Sequence, residues 1–274
     1  MPLITLTSNF GSGAQKIAKK VSEELKVEFF DDAKLQERAI SMGYSKKDLE
    51  GIDEKAPRLF DRLFTNKPEM YLDLLGAIVL DIASKGEGVI IGHGAQAFLK
   101  DFNCALHVMI TAPEENRIKT LMQEQNIDET AARSVIEKID KRFKEFVQYA
   151  FNRDWNDFTG YDLVINVDKI GLDLAVKLII ELAHSNEIKA CSLNAMEEME
   201  RSSLQRRVEA AIIRNNIPSA FTHFFVDVLE KGKVHLRGWA YDDDERKRAV
   251  AVVKNVAGVT GVTSDIFLRP ASAE

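Results

Sequence analysis

A glycine-rich segment between a strand pattern and a helix pattern carries the strongest chemical signal in this chain of 274 residues. Residues 8–15 read SNFGSGAQ and follow the alternating LITLT of residues 3–7, while Ile17, Val21 and Leu25 recur afterwards at helical spacing. Backbone N–H groups at a helix N-terminus attract anions, and glycines let a phosphate approach the backbone closely. The segment therefore predicts a phosphate-binding loop whose contacts come from Ser8, Phe10, Gly11, Ser12, Gly13, Ala14 and Gln15.

The side chains of this loop differ from the usual phosphate-loop pattern, G-x-x-x-x-G-K-[ST]. With Gly13 as the second glycine, Ser8 stands in place of the first one. Ala14 replaces the lysine, and Gln15 replaces the hydroxyl residue that holds magnesium. Lys16 lies two positions after the missing lysine, and successive residues point in different directions around a helix. Two interpretations stay open: an anion site in which Lys16 helps, or a strand-to-helix turn that binds nothing.

Basic residues on and after a long charged helical tract that starts at Asp128 are further candidates for phosphate chemistry. Phosphoryl transfer depends on positioning and charge neutralisation, so cations near a phosphate loop are the least that it requires. A solvated helix face is the alternative interpretation for the cations on this tract, and the same alternatives apply to Arg117 on an earlier helix. The candidates are Lys141, Arg142, Lys144 and Arg153, the last of which could instead pair with neighbouring carboxylates.

Two aspartates follow the short strand VEFF at residues 27–30. Asp31 is a candidate for holding an acceptor base or sugar, or for orienting cations, whereas Asp32 suits the cap of the following helix. After the third strand, GHG at residues 92–94 offers His93 as a hydrogen-bond donor, with a loop histidine satisfied by the backbone as the alternative. No acidic residue follows that strand and the other histidines lack metal-ligand spacing, so we predict no protein metal site.

The composition is that of a folded globular protein, since apolar residues make up 45% and charged residues 29% of the chain. The net charge of −6 is unevenly distributed. Residues 201–274 hold 12 basic and 9 acidic side chains, a balance of +3, which leaves 25 basic and 34 acidic side chains, or −9, for residues 1–200. This acidic balance argues against general nucleic-acid binding, which requires a surplus of Lys and Arg.

Cysteine usage and apolar runs bear on the compartment. Cys104 and Cys191 are isolated, without a C-x-x-C pair, which fits a reducing compartment and predicts neither a disulfide nor a zinc knuckle. The longest apolar stretch, residues 74–83, is short and contains Asp81, so it does not predict a membrane span. The N-terminus has a strand pattern rather than a signal-peptide pattern. Together these observations predict a cytoplasmic protein.

Strand and helix patterns alternate through the first 184 residues. Five strand patterns separated by helices predict an α/β fold: a five-stranded parallel sheet with helices on both faces and ligands at the carboxyl ends of its strands. The last of these helices is predicted to start at Gly171. Residues 185–200 are polar and acidic and predict a helical linker. The predicted domains are residues 1–184 and residues 201–274, the latter a small α+β unit of order α-β-β-α-β.

The order of motifs across residues 3–182 resembles the cytidylate-kinase-like family. The motifs are ITLTSNFGSGAQKIAKKVSEEL, VEFFDDAKLQERAISMGYSKKDLEGIDE, GVIIGHGAQAFL, LHVMITAPEENRIKTL and DWNDFTGYDLVINVDKIGLDLAVKLI. The resemblance implies the P-loop fold of nucleoside monophosphate kinases, ATP and Mg²⁺ as cofactors if the chain is active, and a CMP-like acceptor nucleotide. It also implies that Asp31 and His93 face the acceptor, and that the charged tract forms a lid over the transferring phosphoryl group.

Two departures from the family pattern bear on activity. Many members read S-R-x-F-G-S-G-G-R in the loop, and Asn9 and Gln15 stand where that pattern has its arginines. His93 stands where the family has an arginine associated with the acceptor phosphate, and arginine carries a permanent charge that neutral histidine lacks. We therefore predict nucleotide binding with weak or absent phosphotransfer. The alternative is an active nucleoside monophosphate kinase that uses Lys16 and Arg142.

Residues 204–268 resemble a BON domain, through the segments EKGKVHLRGW, ERKRA and VAGVTGV. The resemblance implies binding of a protein partner or of phospholipid, with anionic lipid favoured by a basic face and opposed by the acidic turn at residues 242–245. An interaction or oligomerisation module, which would give a homo-oligomer, is the preferred interpretation of this unit. A third hypothesis makes the whole chain a non-enzymatic adaptor at a protein or membrane surface. The basic-face candidates are Arg206, Arg207, Arg214, Lys231, Lys233 and Arg237.

Overall fold

The computed structural model describes residues 2–44, 68–92, 94–155, 157–217 and 224–268. The strands are β1 Leu3–Ser8, β2 Phe29–Phe30, β3 Gly88–Ile91, β4 Ala105–Thr111, β5 Leu163–Asn166, β6 Phe224–Val228, β7 Lys233–Ala240 and β8 Gly261–Leu268. The helices are α1 Ala14–Leu25, α2 Asp32–Ser41, α3 Pro68–Ala83, α4 Ala95–Phe98, α5 Glu114–Gln125, α6 Glu129–Phe151, α7 Val167–Ala183, α8 Leu193–Arg214 and α9 Asp243–Lys254.

The first five strands form one parallel sheet in the order β2-β3-β1-β4-β5. β1 lies at its centre, where Leu3 pairs in register with Gly88 on one side and Ala105 on the other. Residues 3–7 of this strand are buried on both faces, as expected for a parallel sheet covered by helices. The predicted α/β fold is confirmed, and its parallel register brings the carboxyl ends of the strands to one edge.

Separate buried clusters cover the two faces of the sheet. On one face, Ile17 of α1 and Ile179 of α7 pack with apolar residues of the strands. On the other face, Leu74 and Ile78 of α3 pack in a second cluster with residues of β1, β3 and β4. Helix α1 turns an apolar stripe inwards and carries its charged residues on the other sides, whereas α3 is buried at every residue from 73 to 80.

Helix α7 begins four residues before the predicted start at Gly171. Asn166, the last residue of β5, caps the helix, because its Oδ1 accepts a hydrogen bond of 3.0 Å from the N–H of Asp168. Gly171 has a φ of +70° and interrupts the helical geometry inside α7. The glycine therefore marks a kink, and the side chain of Asn166 sets the start of the helix.

The C-terminal unit has the predicted order, α8-β6-β7-α9-β8. In its sheet, β7 is central, with β6 antiparallel and β8 parallel to it. Side chains alternate across this sheet. Val226 and Leu236 pack against Val208 of α8, whereas Phe225 and Trp239 point to the opposite, exposed face. The unit therefore has its own core and a sheet face that displays aromatic side chains.

Helix α8 takes part in the cores of both units. Met199, near its start, lies in the same buried cluster as α3, while Val208 lies in the core of the C-terminal unit. Ser203, which is 1% exposed, donates its hydroxyl proton to the carbonyl oxygen of Ala77 on α3, with an O–O distance of 2.8 Å. The helix begins inside the predicted linker, of which residues 185–192 form turns and irregular chain. Because α8 contributes residues to both cores, the chain has no simple break between the units, and the predicted domain boundaries stay a prediction.

The prediction that the cysteines form no disulfide is wrong. Cys104, just before β4, forms a disulfide with Cys191, just before α8, and their Cα atoms lie 4.9 Å apart. The residues are 87 positions apart, so local spacing contains no sign of the pairing. They meet because both join the buried cluster to which Met199 belongs. The cysteines thus no longer argue for a reducing compartment, and a cytoplasmic location stays a prediction.

Among the described residues, every helix is too short or too polar to span a bilayer.

Reduction of the disulfide is expected to lower the free energy of unfolding by about 2–4 kcal/mol, because the closed loop restricts the unfolded chain. Urea unfolding followed by circular dichroism, with and without a reductant, measures the change. The double variant Cys104→Ser/Cys191→Ser is the control, since its unfolding midpoint should match that of the reduced protein and should not respond to reductant. Two free thiols titrated in the denatured, unreduced protein would contradict the prediction.

Candidate functional site

A cavity of about 540 Å³ lies at the edge where the strands of the parallel sheet end. Its walls include Ser8 at the end of β1, Asp31 after β2 and Gly92 after β3, which the register of the sheet brings together. This is the usual position of a ligand site in an α/β sheet. The loop residues that the sequence predicts as contacts all line the cavity: Ser8, Phe10, Gly11, Ser12, Gly13, Ala14 and Gln15.

Two glycines give the loop its shape. Gly11 has a φ of +82° and Gly13 a φ of +81°, left-handed conformations that residues with a Cβ atom rarely adopt. The N–H of Asn9 donates a hydrogen bond of 3.2 Å to the carbonyl of Ile110, which fastens the loop to β4. Gly13 stands at the N-cap of α1 and has no side chain that could cap the first turn of the helix. The helix N-terminus at the cavity is therefore suited to an anion.

The hydroxyl group of Ser12 is a second feature of this loop that suits a ligand. The residue is 5% exposed, and its Oγ makes no hydrogen bond within the described part of the chain. Buried hydroxyl groups nearly always have a partner, so this one is available to an oxygen-rich ligand. A hydroxyl beside the N–H groups of a helix N-terminus is the donor set that a phosphate requires.

Lys16 lines the cavity but already has an acidic partner. Its Nζ lies 2.7 Å from Oε1 of Glu124 on α5, a residue that also lines the cavity. The Lys16 side chain is 62% exposed, so solvent screens this ion pair. A phosphate at the loop would have to compete with Glu124 for the ammonium group. Lys19, one turn further along α1, lines the cavity as well and was missed from the sequence.

Arg117 is neither a solvated residue nor a cation of the cavity wall. It is 7% exposed, and its Nη1 donates to the carbonyl oxygen of Phe10 at 3.2 Å and to Oδ2 of Asp140 at 2.8 Å. Phe10 belongs to the loop and Asp140 to α6, the helix that corresponds to the predicted lid. A side chain on Gly11 would lie 3.2 Å from the carbonyl oxygen of Arg117, so α5 packs closely on the loop. Arg117 therefore joins the loop to the lid helix.

The lid helix α6 turns apolar residues towards the cavity. Phe143, Phe146 and Val147 form part of the wall, and Trp155 beyond the helix stacks on Phe143 with ring centroids 5.5 Å apart. The predicted lid cations lie elsewhere. Lys141 and Lys144 are exposed, Lys141 is 3.9 Å from Glu145, and Arg142 is partly buried. Among the described residues that line the cavity, these three cations are absent.

Arg153 lies beside the segment that follows the lid. It is exposed, and its Nη1 would be 2.9 Å from a Cβ atom built on Gly160. Hydrogen bonds from Thr159 are the main cause of a lowered pKa of Asp157, and the nearby guanidinium of Arg153 acts in the same direction. The structure therefore places Arg153 with a carboxylate, outside the cavity wall that the described residues form.

A buried polar network at the cavity, formed by Thr7, Gln96 and Tyr161, has no counterpart in the sequence predictions. Thr7 Oγ1 donates to Gln96 Oε1 at 3.1 Å, and Gln96 Nε2 donates to the hydroxyl of Tyr161 at 3.1 Å. Burial raises the pKa of Tyr161, so this hydroxyl stays protonated at neutral pH. The one available sign was a polar residue, Thr7, near the end of a buried strand. The network ties β1 and α4 to the segment that follows the lid.

The prediction that Asp32 caps the helix after β2 is wrong by one residue, because Asp31 holds that position. Asp31 is the N-cap of α2, because its Oδ1 accepts a hydrogen bond of 3.1 Å from the N–H of Lys34. Asp32 is the first residue of that helix, and both aspartates line the cavity. His93 lies outside the described residues, although its neighbours Gly92 and Gly94 line the cavity.

The donor set suits a phosphate better than a metal ion. Among the described residues, no three His, Cys, Asp or Glu side chains are grouped so that they could hold a metal. Gln15 occupies the position of the magnesium hydroxyl, so the protein would contribute few oxygens to Mg²⁺, and nucleotide phosphates and water would supply the rest. His107 lies in the sheet, where its Nδ1 is 2.8 Å from Thr5 Oγ1 and burial lowers its pKa.

The model of the cytidylate kinase-like family matches residues 3–169, which include the loop and the lid helix. The chain belongs to this family. A curated cytidylate kinase from Staphylothermus marinus is 27% identical over 188 residues, which cover 66% of this chain and 96% of that protein. The BON domain model matches residues 201–270.

Two further similarities concern the same part of the chain. An S-adenosylmethionine-dependent nucleotide dehydratase from Lacinutrix mariniflava is 24% identical over 178 residues, which cover 65% of this chain but only 35% of that protein. A crystal structure of an uncharacterised protein from Eubacterium ventriosum matches with a TM-score of 0.54 and 27% identity. It covers 66% of this chain and 97% of its own length. The family unit is therefore found alone and inside a longer protein.

Replacement of Arg117 by alanine is expected to lower the free energy of unfolding by about 2 kcal/mol or more, because it leaves a largely buried carboxylate without its cation. Arg133→Ala is a matched control, since Arg133 makes three exposed ion pairs with Glu114, Glu115 and Glu129, which are worth little. Urea unfolding of both variants measures the difference. Equal losses for the two variants would contradict the buried role of Arg117.

Proposed function

We propose that the kinase-like part of this chain binds the phosphates of a nucleotide on the loop of residues 8–15, next to a site for a CMP-like acceptor, and transfers phosphate weakly or not at all. The observation that carries this proposal is the loop itself. Its glycines at +82° and +81° leave the N-terminus of α1 uncapped beside the unpartnered hydroxyl of Ser12. These groups line a cavity of about 540 Å³ at the carboxyl edge of the sheet.

The small number of cations at the cavity supports weak phosphotransfer. Transfer forms a bond from an acceptor oxygen to the γ-phosphorus and breaks the bond to the bridging oxygen, which leaves with the electron pair on the diphosphate. The negative charge on these oxygens needs cations in fixed positions. Among the described residues that line the cavity, only Lys16 and Lys19 are cationic, and Lys16 pairs with Glu124. Loss of one charged contact commonly costs about 3 kcal/mol of transition-state stabilisation.

The alternative is an active nucleoside monophosphate kinase that uses ATP and Mg²⁺, with Lys16 and Arg142 as its cations. The position of Lys16 on the cavity wall favours this alternative, since its screened ion pair with Glu124 would open at little cost. Arg142 would have to turn towards the cavity when the lid closes. The similarity to a curated cytidylate kinase over nearly that protein's whole length gives it further support.

Titration calorimetry with ATP, CMP, dCMP and UMP in the presence of Mg²⁺ tests nucleotide binding. We expect Gly13→Ala to weaken ATP binding by tenfold or more, since its φ is +81° and the new Cβ atom would lie 3.0 Å from Leu172 Cδ2 at the loop. Gly43→Ala is the matched control, because Gly43 also has a left-handed φ, +91°, its added Cβ atom would meet no described atom within 4 Å, and it is not among the described residues of the cavity wall. Equal effects of both variants would contradict the proposal.

A coupled phosphotransfer assay then separates the two alternatives. Binding without turnover supports a nucleotide-binding role. Turnover that disappears in Lys16→Ala and Arg142→Ala supports the kinase, and the absence of any nucleotide response leaves the adaptor hypothesis.

The adaptor hypothesis draws on the BON unit. Its outer sheet face exposes Phe225, Trp239 and Phe267, and the rings of Trp239 and Phe267 are 5.5 Å apart. Aromatic side chains of this kind are enriched in protein interfaces. Three of the six candidate cations already have partners within the chain: Arg206 pairs with Asp73, Arg207 donates to the carbonyl oxygen of Ala257, and Arg237 pairs with Asp227. A protein partner therefore fits this unit better than anionic lipid does.

The full chain is expected to bind vesicles of phosphatidylserine and phosphatidylcholine weakly even at low salt, because three of the six candidate cations are already paired and an acidic turn at residues 242–245 lies in the same unit. Co-sedimentation at low and at physiological salt measures the binding, with vesicles of phosphatidylcholine alone as the control. Tight binding that salt abolishes would overturn the preference for a protein partner.

A further inference from the structure

A column of side chains runs from the BON unit to the lid of the cavity. The guanidinium carbon of Arg206, on α8, lies 5.3 Å from the ring centroid of Phe98 at the end of α4. Phe98 meets Phe151 edge to face with ring centroids 5.1 Å apart, and Phe151 meets Phe146 at 5.7 Å, also edge to face. Phe146 belongs to the lid helix α6 and lines the cavity.

The BON end of the column is held firmly. Arg206 Nη1 lies 3.0 Å from Oδ1 of Asp73 on α3, and the Asp73 side chain is only 8% exposed. Gly76, one turn along α3, makes room for this contact. A Cβ atom there would lie 2.8 Å from Arg206 Cδ and 2.8 Å from Phe98 Cε1. Arg206 is therefore held by an ion pair on one side and by an aromatic face on the other.

The other end of the column reaches the cavity at two points. Phe146 contributes to the wall, and Gly94, the N-cap of α4, lies on the rim next to Gly92. A Cβ atom on Gly94 would lie 2.5 Å from Phe151 Cε2, so the rim and the column are in direct contact. Close-packed side chains have little free volume, and a displaced ring displaces its neighbour.

We infer that Arg206 is a positioning residue for the nucleotide cavity: from the BON unit, it holds Phe98 and, through Phe151, sets the position of the lid residue Phe146. This inference rests on the proposed nucleotide-binding function and adds a role for the BON unit in it. The two family units then contribute to one site, in which the BON helix α8 supports the lid together with the core of the kinase-like part.

Trp155 provides a direct readout, because it lines the cavity, is 7% exposed and stacks on Phe143 of the lid helix. The chain has two tryptophans, so a Trp239→Phe background leaves Trp155 as the single emitter. In that background we compare Arg206→Ala and Arg206→Lys, which keeps the charge for Asp73 but loses the flat contact with Phe98. Arg201→Ala is the control, since Arg201 lies on the same helix and pairs with its exposed neighbour Glu198.

We expect Arg206→Ala to increase acrylamide quenching of Trp155 and to raise the Kd for ATP by roughly three- to tenfold, the range that a partly buried cation–π contact carries. Arg206→Lys should lie between the wild type and the alanine variant, and Arg201→Ala should equal the wild type. All measurements are made at a temperature where circular dichroism shows each variant to be folded. A lower unfolding midpoint by itself would indicate only a structural role.

Unchanged quenching of Trp155 in both Arg206 variants, whether or not ATP is present, would overturn the inference. If Arg206→Ala fails to fold, the lysine variant decides, since it retains the ion pair. If the wild type binds no ATP, the proposed function fails, but the quenching of Trp155 without ligand still tests the position of the lid.

Discussion

The packing of helix α8 on helix α3 is the contact on which the rest of this molecule depends. One end of α8 completes the core beneath the parallel sheet, and its other end is the first helix of the BON unit. The polar contacts between the helices, Ser203 with the Ala77 carbonyl and Arg206 with Asp73, are largely buried, so water cannot replace them cheaply. The sequence of α8 has no single amphipathic stripe, because its apolar residues pack against two partners on different sides of the helix.

The candidate site follows from a different constraint, the parallel register around β1. That register places the ends of β1, β2 and β3 beside the N-terminus of α1. There, two glycines in the left-handed conformation leave the backbone N–H groups accessible. In the proposed site, backbone groups and a serine hydroxyl would supply most of the donors to a phosphate, since Lys141, Arg142 and Lys144 lie outside the described cavity wall. Binding and transfer make different demands: backbone donors suffice to hold an anion, but a transition state that develops charge needs cations as well.

Local patterns in the sequence were enough to predict the sheet, the loop and the order of elements in the BON unit, because alternation, helical spacing and glycines are properties of neighbouring residues. The failures share a cause, which is distance along the chain. Cys104 and Cys191, Arg117 and Asp140, and Thr7 and Gln96 are far apart in sequence and meet only in the fold. The prediction of Asp32 instead of Asp31 as the helix cap is a smaller error of a different kind. It is a shift of one residue in the start of α2, and helix ends are commonly uncertain by this amount.

The disulfide has a topological consequence. The bond between Cys104 and Cys191 closes a covalent ring that contains β4, the lid helix, β5 and α7, while the loop of residues 8–15 and the BON core lie outside it. The irregular segment after α7, at residues 185–190, is inside the ring. A single protease cut there would open the ring without releasing the BON unit, which would stay attached to the sheet through sulfur. After a cut inside the ring, the disulfide must therefore also be reduced before the covalent link between the two family units is lost.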